Sequence, residues 1–227
     1  FQERGGFDLM VGNPPWLKIE WEEGGILGDY DPLVVLRKLS ASELAKQREV
    51  VFSKFPRLHS AYLREYEEAV GTQNFLNAVQ NYPLLKGMQT NLFKCFLPQA
   101  WQFCKPEGVS SFLHPEGVYD DPKGGEFRKT IYQYLKAHFQ FDNELKLFNE
   151  VDHGNKFSIN IYQKLIRQEP DIIRFVHLAN LYSPTTIYES FEVENTSKVP
   201  GLKNIDGKWE TTGHPSRIIS VDLGVLS

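Results

Sequence analysis

The feature that most constrains this chain is a short apolar run, Phe7 to Gly12, that ends against Asn13-Pro14-Pro15-Trp16. An unbroken apolar run of this kind, closed by glycine, is the pattern of a strand buried in an α/β sheet. Proline has no N–H to give to a ladder, so two in succession forbid a central strand from continuing. The strand must stop at Gly12 or Asn13. The chain then leaves the sheet as a stiff turn, with φ fixed at Pro14 and Pro15 and Asn13 restricted by the proline after it.

The rest of the chain reads as an α/β pattern interrupted early by helices. Residues 17–32 contain Gly, Glu and Trp without a period and read as a loop, with Glu20, Glu22 and Glu23 solvated. Residues 33–50 carry helical spacing, and Ser40 with Glu43 fits a capping box for a helix through Lys46. Leu58, Tyr62, Tyr66 and Val70 predict a helix over residues 57–80. Residues 17–89 are thus a mostly helical insert. Leu92, Phe93, Phe96, Leu97, Ala100, Trp101 and Cys104 mark an amphipathic helix from Thr90 to Cys104. Lys105-Pro106-Glu107-Gly108 stops it, and Val109 to Leu113 reads as a strand ended by His114-Pro115. A helix from Gly125 to His138 follows, then strands Phe139 to Phe148 and Phe157 to Leu165. The short polar loop between those strands predicts an antiparallel hairpin. Ile172 to His177 is a candidate further strand, and residues 183–227 are rich in Ser, Thr, Pro, Gly and Asn. The expected architecture is α/β, with an antiparallel hairpin at its end and a helical insert.

Composition limits the functions available. With 227 residues, 41% apolar and 13% aromatic, the chain can bury a core. A formal net charge of −4 argues against gripping nucleic acid through a global positive field, and leaves room for a local basic groove. No run of about 18 apolar residues and no signal-like start is present, so the expected setting is soluble and cytoplasmic, without a membrane. On one helix, Cys95 and Cys104 would face opposite ways and lie roughly 13 Å apart, beyond disulfide reach. Unpaired thiols suit a reducing compartment. The six histidines show no ligand spacing, so no metal site is expected. Residues 1–6 lack an initiator Met and run straight into the strand, so the chain reads as an excised part of something longer.

A strand followed at once by Asn-Pro-Pro-aromatic resembles the amino-methyltransferases, which modify adenine N6, cytosine N4 or glutamine amides. Further motifs extend the resemblance over residues 7–165, to the large adenine-specific DNA methyltransferases of restriction-modification and phage-defence systems. They are the helix start Asn91-Leu92-Phe93, the segment from Lys105 through Gly108 to Pro115, the helix start Phe127-Arg128, and Leu145-Lys146-Leu147-Phe148 before a return strand Lys156 to Tyr162. The resemblance implies a partial Rossmann-like methyltransferase sheet, S-adenosylmethionine as methyl donor and double-stranded DNA as partner. It makes residues 1–168 the catalytic half of the methyltransferase domain, and 169–227 an extension that begins a target-recognition region.

In that setting Asn13, Pro14, Pro15 and Trp16 are the catalytic residues. The exocyclic amine of adenine is a weak nucleophile, because its lone pair is delocalised into the ring. The Asn13 side-chain oxygen and the Pro14 carbonyl can accept its two N–H bonds and localise that pair. Trp16 offers a flat face to a base turned out of the duplex, a stack worth about 1–3 kcal/mol. The family places an aromatic from the hairpin region on the base's other side. Phe148 is the first candidate and Phe157 the second, against the plainer reading of both as core. Lys123, Arg128 and Lys129, beside Gly124-Gly125, are candidates to meet DNA phosphate, or form an ordinary solvated helix start. The family's glycine-rich cofactor motif, which precedes the Asn-Pro-Pro strand, has no counterpart in this sequence. The expectation is that the cofactor is bound mainly by a missing upstream part of the polypeptide, and that this chain alone is inactive.

Two other readings remain open. One keeps the chemistry and changes the substrate to a protein glutamine or an RNA base. The other is a non-catalytic DNA-binding or scaffold module. Asn at position 13 favours adenine over cytosine.

Overall fold

A computed structural model describes residues 5–89, 91–163, 173–192 and 198–226. Along the chain come strand β1 (Phe7–Gly12), then helices α1 (Glu23–Gly28), α2 (Leu33–Leu36), α3 (Ala41–Lys54) and α4 (Leu58–Asn77). Helix α5 (Leu92–Phe103) leads into β2 (Cys104–Pro115), followed by α6 (Gly117–Asp120), α7 (Gly125–Tyr134) and β3 (Leu135–Asp142). Strands β4 (Lys156–Gln163) and β5 (Arg174–Leu181), helix α8 (Thr185–Glu192), β6 (Ile219–Asp222) and α9 (Leu223–Leu226) complete the order. Two compact units result, one from Phe1–Leu17 and Leu84–Ser227, the other from Lys18–Pro83. Among the described residues no helix is long and apolar enough to cross a membrane.

The first unit is a mixed α/β structure on a six-stranded sheet of order β1-β2-β4-β3-β5-β6. Strands β1 and β2 are parallel, as are β3 and β5, while β4 pairs antiparallel to both β2 and β3. The expected hairpin is present, as β3 and β4. Its return strand lies inside the sheet, however, and not at the end. β4 inserts between β2 and β3, and the sheet then extends through β5 and β6, which come from the region beyond residue 169. Phe93, Leu97, Trp101, Phe112, Phe127, Ile131 and Tyr162 form the core under α5 and α7. Phe139, Phe141, Phe157, Leu178 and Leu181 form a second core on the opposite face. Each such side chain contributes about 1.5–3 kcal/mol by leaving water.

Several boundaries differ from the sequence reading. Phe7, Leu9 and Val11 are 46%, 61% and 72% exposed, so the run expected to be buried is the sheet's edge among the described residues. Helix α5 stops at Phe103, and Cys104 opens β2, so the two thiols do not share a helix; both are buried and neither forms a disulfide. Thr90, placed at that helix's start, lies outside the described residues. The Pro106 segment is absorbed as an irregularity in β1–β2 pairing, where Glu107 takes a φ of +65°.

Helix α7 ends at Tyr134 because the next residues alternate at period two, with Ala137, Phe139 and Phe141 on one face and His138 and Gln140 on the other. Strand β3 stops at Asp142, so Leu145 to Phe148 belongs to a loop. Lys146 adopts a left-handed φ of +54°, and Asn143 captures the chain beyond it. Residues 164, 165 and 172, read as strand ends, lie outside the described residues.

The second unit is helical. Helix α1 occupies the segment read as loop, and Glu23 there is not solvated: its Oε1 accepts from Arg48 Nη1 and from the Tyr62 hydroxyl, each at 2.8 Å. Leu27, Val34, Val51, Leu58 and Tyr62 form this unit's hydrophobic core. The capping box expected at Ser40 is present, with the Ser40 amide donating to Glu43 Oε2 at 2.9 Å, and α3 runs past Lys46 to Lys54. Ser40→Ala should cost this helix about 1 kcal/mol, read as roughly fivefold faster hydrogen exchange in the first turn of α3. Unchanged exchange there would show that the box contributes nothing.

Candidate functional site

The turn Asn13-Pro14-Pro15-Trp16 leaves β1 at the strand's C-terminal end and is pinned on both sides. Pro14 is buried, and the Leu17 carbonyl accepts from the Leu92 amide at 2.9 Å, at the start of α5. Asn91 caps that helix, its side chain accepting from the Phe93 amide. The half-buried Trp16 indole donates through Nε1 to the Leu113 carbonyl on β2, at 3.3 Å. Such a bond is worth about 1 kcal/mol and fixes the plane of the ring. Asn13 is exposed, and its carboxamide has no hydrogen-bond partner among the described residues. An amide held at the end of a stiffened turn and left uncommitted is a ready-made acceptor.

Asn13, Pro14, Pro15 and Trp16 line a cavity of about 200 Å³, closed by Phe148 and Val151. The sequence candidates at positions 16, 148 and 157 are thus brought together. Trp16 and Phe148 rings lie 5.7 Å apart edge to face, Trp16 and Phe157 5.8 Å apart, and Phe148 and Phe157 5.0 Å apart. Phe157 is only 2% exposed and stacks on Phe141 at 5.4 Å, whereas Phe148 is half-buried at the rim. Sandwiching a planar ring between Trp16 and Phe148 needs about 7 Å, twice the best carbon–carbon separation. In the form described here the two rings touch each other, and a guest between them has to part them.

The basic candidates divide. Lys123 and Lys129 are exposed, but Arg128 Nη1 donates to the Asp121 carbonyl and is engaged internally. Asp121 also holds Lys94, which is 6% exposed, through a 2.9 Å ion pair. Gly124 sits in this knot, where a Cβ would meet Met88 at 3.0 Å and Arg128 at 3.2 Å. The knot shapes the loop entering α7.

A second polar assembly, which sequence spacing does not reveal, lies on the face of the sheet that carries Tyr162 and Asn160. His114 is fully buried, with Nδ1 2.8 Å from the Pro115 carbonyl and Nε2 2.9 Å from the Tyr162 hydroxyl. The carbonyl can only accept, so Nδ1 donates, Nε2 accepts from Tyr162, and the ring is neutral. Burial pushes the His114 pKa down to about 4, against smaller raising effects from Pro115 and Glu116. Further along, the Glu116 carboxylate meets His138 Nε2 at 3.1 Å and Gln140 Nε2 at 2.7 Å. His138 Nδ1 lies 2.9 Å from His177 Nδ1. Burial would raise the Glu116 pKa, but hydrogen bonds from His138, Ser158 and Gln140 outweigh it and hold the group at about 2. Burial first, and the neighbouring His138 second, lower the pKa of His177. Residues 114, 138 and 177 are scattered in sequence and meet only through the strand order. Among the described residues, no group of three or more His, Cys, Asp or Glu is arranged to hold a metal ion.

No protein-family model matches the chain, and no curated protein matches its sequence. Solved structures match it in part. A structure of a type I restriction-modification system shares 12% identity at a TM-score of 0.42, over 98% of this chain and 36% of that one. A DrdV–DNA complex shares 12% identity at a TM-score of 0.40, over 78% of this chain and 15% of that one. A Listeria monocytogenes protein assigned to the class I S-adenosylmethionine-dependent methyltransferases shares 15% identity at a TM-score of 0.34, over 46% of this chain and 32% of that one. The chain spans between 15% and 36% of the length of these three structures.

The buried assembly makes stability depend on pH with a definite sign. His114 and His177 have folded-state pKa values below their ordinary 6.5, so their contribution is complete above about pH 6.5 and is lost as pH falls. For His114 the loss runs from 6.5 down to about 4 and amounts to about 3 kcal/mol. Glu116 adds a later loss, from its ordinary 4.5 down to about 2. Melting temperature should be flat above pH 7 and fall between pH 6.5 and 4, and His114→Gln should flatten that segment. A variant as acid-sensitive as the parent between those pH values would show that His114 does not carry the effect.

Proposed function

We propose that this chain supplies the base-holding side of a DNA adenine-N6 methyltransferase site, in a restriction-modification or phage-defence protein. The observation that carries the reading is the uncommitted Asn13 amide beside an aromatic-walled cavity at the end of β1. Asn13 Oδ1 accepts one N–H of a flipped adenine and the Pro14 carbonyl accepts the other. This draws the nitrogen toward tetrahedral geometry and makes its lone pair available. Prolines at 14 and 15 keep the acceptors from relaxing, so little reorganisation is needed when charge develops. Trp16 and Phe148 hold the ring by its faces, and the cavity suits one flat heterocycle better than a flexible glutamine side chain. Of the three basic candidates, Lys123 and Lys129 are exposed and available to phosphate.

S-adenosylmethionine is the methyl donor in this reading, and it supplies an already activated methyl group. The residues described here do not fit it unaided. The cavity of about 200 Å³ is the one given to the base, and the glycine-rich cofactor motif has no counterpart in this sequence. The reading therefore assigns the cofactor to polypeptide beyond these residues. Among the described residues β1 is an edge strand, and such an edge can accept a further strand, in keeping with that assignment.

In the parent polypeptide, Asn13→Ala should lower methylation of DNA by about 10²–10³-fold while leaving cofactor affinity unchanged. Trp16→Ala should weaken the fluorescence signal of a flipped 2-aminopurine and cost about 5- to 150-fold in specific binding. Methylation undiminished by Asn13→Ala would overturn the mechanism. Titrating this 227-residue chain with S-adenosylmethionine should yield no measurable heat, and micromolar binding would overturn the division of the site.

A further inference from the structure

The wall of the cavity opposite Asn13 is made by the loop between β3 and β4, which has only a 3-10 turn at Asn143–Leu145, yet Phe148 and Val151 must stand at fixed places for the pocket to exist. Asn143, the residue after β3, is 0% exposed and lies at the centre of that loop. Its Nδ2 donates to the Phe148 carbonyl at 2.9 Å and to the Val151 carbonyl at 2.8 Å, while its Oδ1 accepts from the Phe148 amide at 3.1 Å. Its own amide donates to the Asn155 carbonyl at 3.1 Å, and its carbonyl accepts from the Lys146 amide at 2.8 Å. Both amide protons, the amide oxygen and the backbone are therefore used. The orientation of the carboxamide is unambiguous, because a flip would set its oxygen against two carbonyls. One buried side chain thus holds both main-chain polar groups of Phe148 and one of Val151, the two cavity residues that are far in sequence from the proline turn.

We infer that Asn143 is a positioning residue for base recognition: it fixes the backbone pivot of Phe148, about which the ring swings to admit a base beside Trp16. The inference rests on the reading of the cavity as a base site. The bonds hold the main chain and leave the phenyl ring free to turn about its own Cα–Cβ bond. That is what the geometry requires, since the ring now touches Trp16 edge to face and has to move aside for a guest. Side chains that cannot donate twice, or that are longer, would let the loop settle elsewhere. The aromatic wall would then be present but misplaced, a shift that costs binding sites much of their function.

The test is a double-mutant cycle in the parent polypeptide, read as kcat/KM for DNA methylation, with cofactor affinity measured alongside. Phe148→Ala and Asn143→Ala should each lower kcat/KM by about tenfold, with cofactor affinity unchanged. The double variant should fall no more than about twofold below the worse single one, because Asn143 acts through the ring that Phe148→Ala removes. Asn143→Ser retains a single hydroxyl and should lose about threefold, again with little further effect in the Phe148→Ala background. It serves where Asn143→Ala does not fold. Independent effects that multiply to about a hundredfold, or an Asn143 variant as active as the parent, would overturn the positioning role. Wild-type activity in Phe148→Ala would remove Phe148 from the site, and undiminished methylation in Asn13→Ala would remove the base-site reading itself.

Discussion

Strand β4 runs antiparallel between β2 and β3, and its two ladders organise nearly everything described above. Alternation along a strand sends successive side chains to opposite faces. Phe157 and Ile159 therefore enter the core beneath Trp16 and Phe148, while Ser158, Asn160 and Tyr162 enter the polar assembly on the other side. The register sets Ser158 opposite His114 on β2 and opposite Gln140 on β3, which gathers the groups around Glu116. A slip of one residue would exchange the two faces. Ser158 would then underlie the cavity, and Phe157 would face Glu116. Both faces being buried, the register is strongly specified.

Local chemistry was legible in the sequence wherever the interaction is itself local. The proline pair at 14 and 15 ends β1 because the restriction lies within those residues. Ser40 and Glu43 form their box because capping spans a single turn, and Asn91 caps α5 for the same reason. The hairpin of β3 and β4 was visible from its short polar connection. Its place inside the sheet was not, since the pairing of β2 with β4 spans two helices and a strand, and nothing in their local patterns says which strand β4 joins on its other edge.

The candidate site was legible in proportion. Asn13 to Trp16 could be named from four adjacent letters, and Phe148 from its place before the loop, but the reason Phe148 stands where it does is the Asn143 carboxamide. A lone asparagine after a strand is an ordinary turn residue by composition, and only three-dimensional structure shows it fully buried. Glu23 departs from its sequence pattern for a related cause. Three nearby glutamates suggest solvent, whereas Arg48 and Tyr62, brought from distant helices, give one of them a buried role. Arg128 illustrates the opposite error, a cation that looks available in sequence and is spent on the Asp121 carbonyl.

The resting contact between Trp16 and Phe148 has a thermodynamic reason. Two aromatic faces left open at a cavity mouth would be wetted at a cost, and an edge-to-face pair gains about 0.5–1.5 kcal/mol beyond the area it covers. In the proposed function, a base that replaces this contact would stack on one or both rings at about 1–3 kcal/mol each, so the exchange would favour a guest that is flat and aromatic. A small polar or aliphatic guest would lose the ring contact without an equivalent return. On the proposed reading, the Trp16–Phe148 contact would screen ligands by shape and π-character before any hydrogen bond to Asn13 is formed. That screening would depend on Phe148 returning to the same place, and the buried amide at 143 holds its main chain.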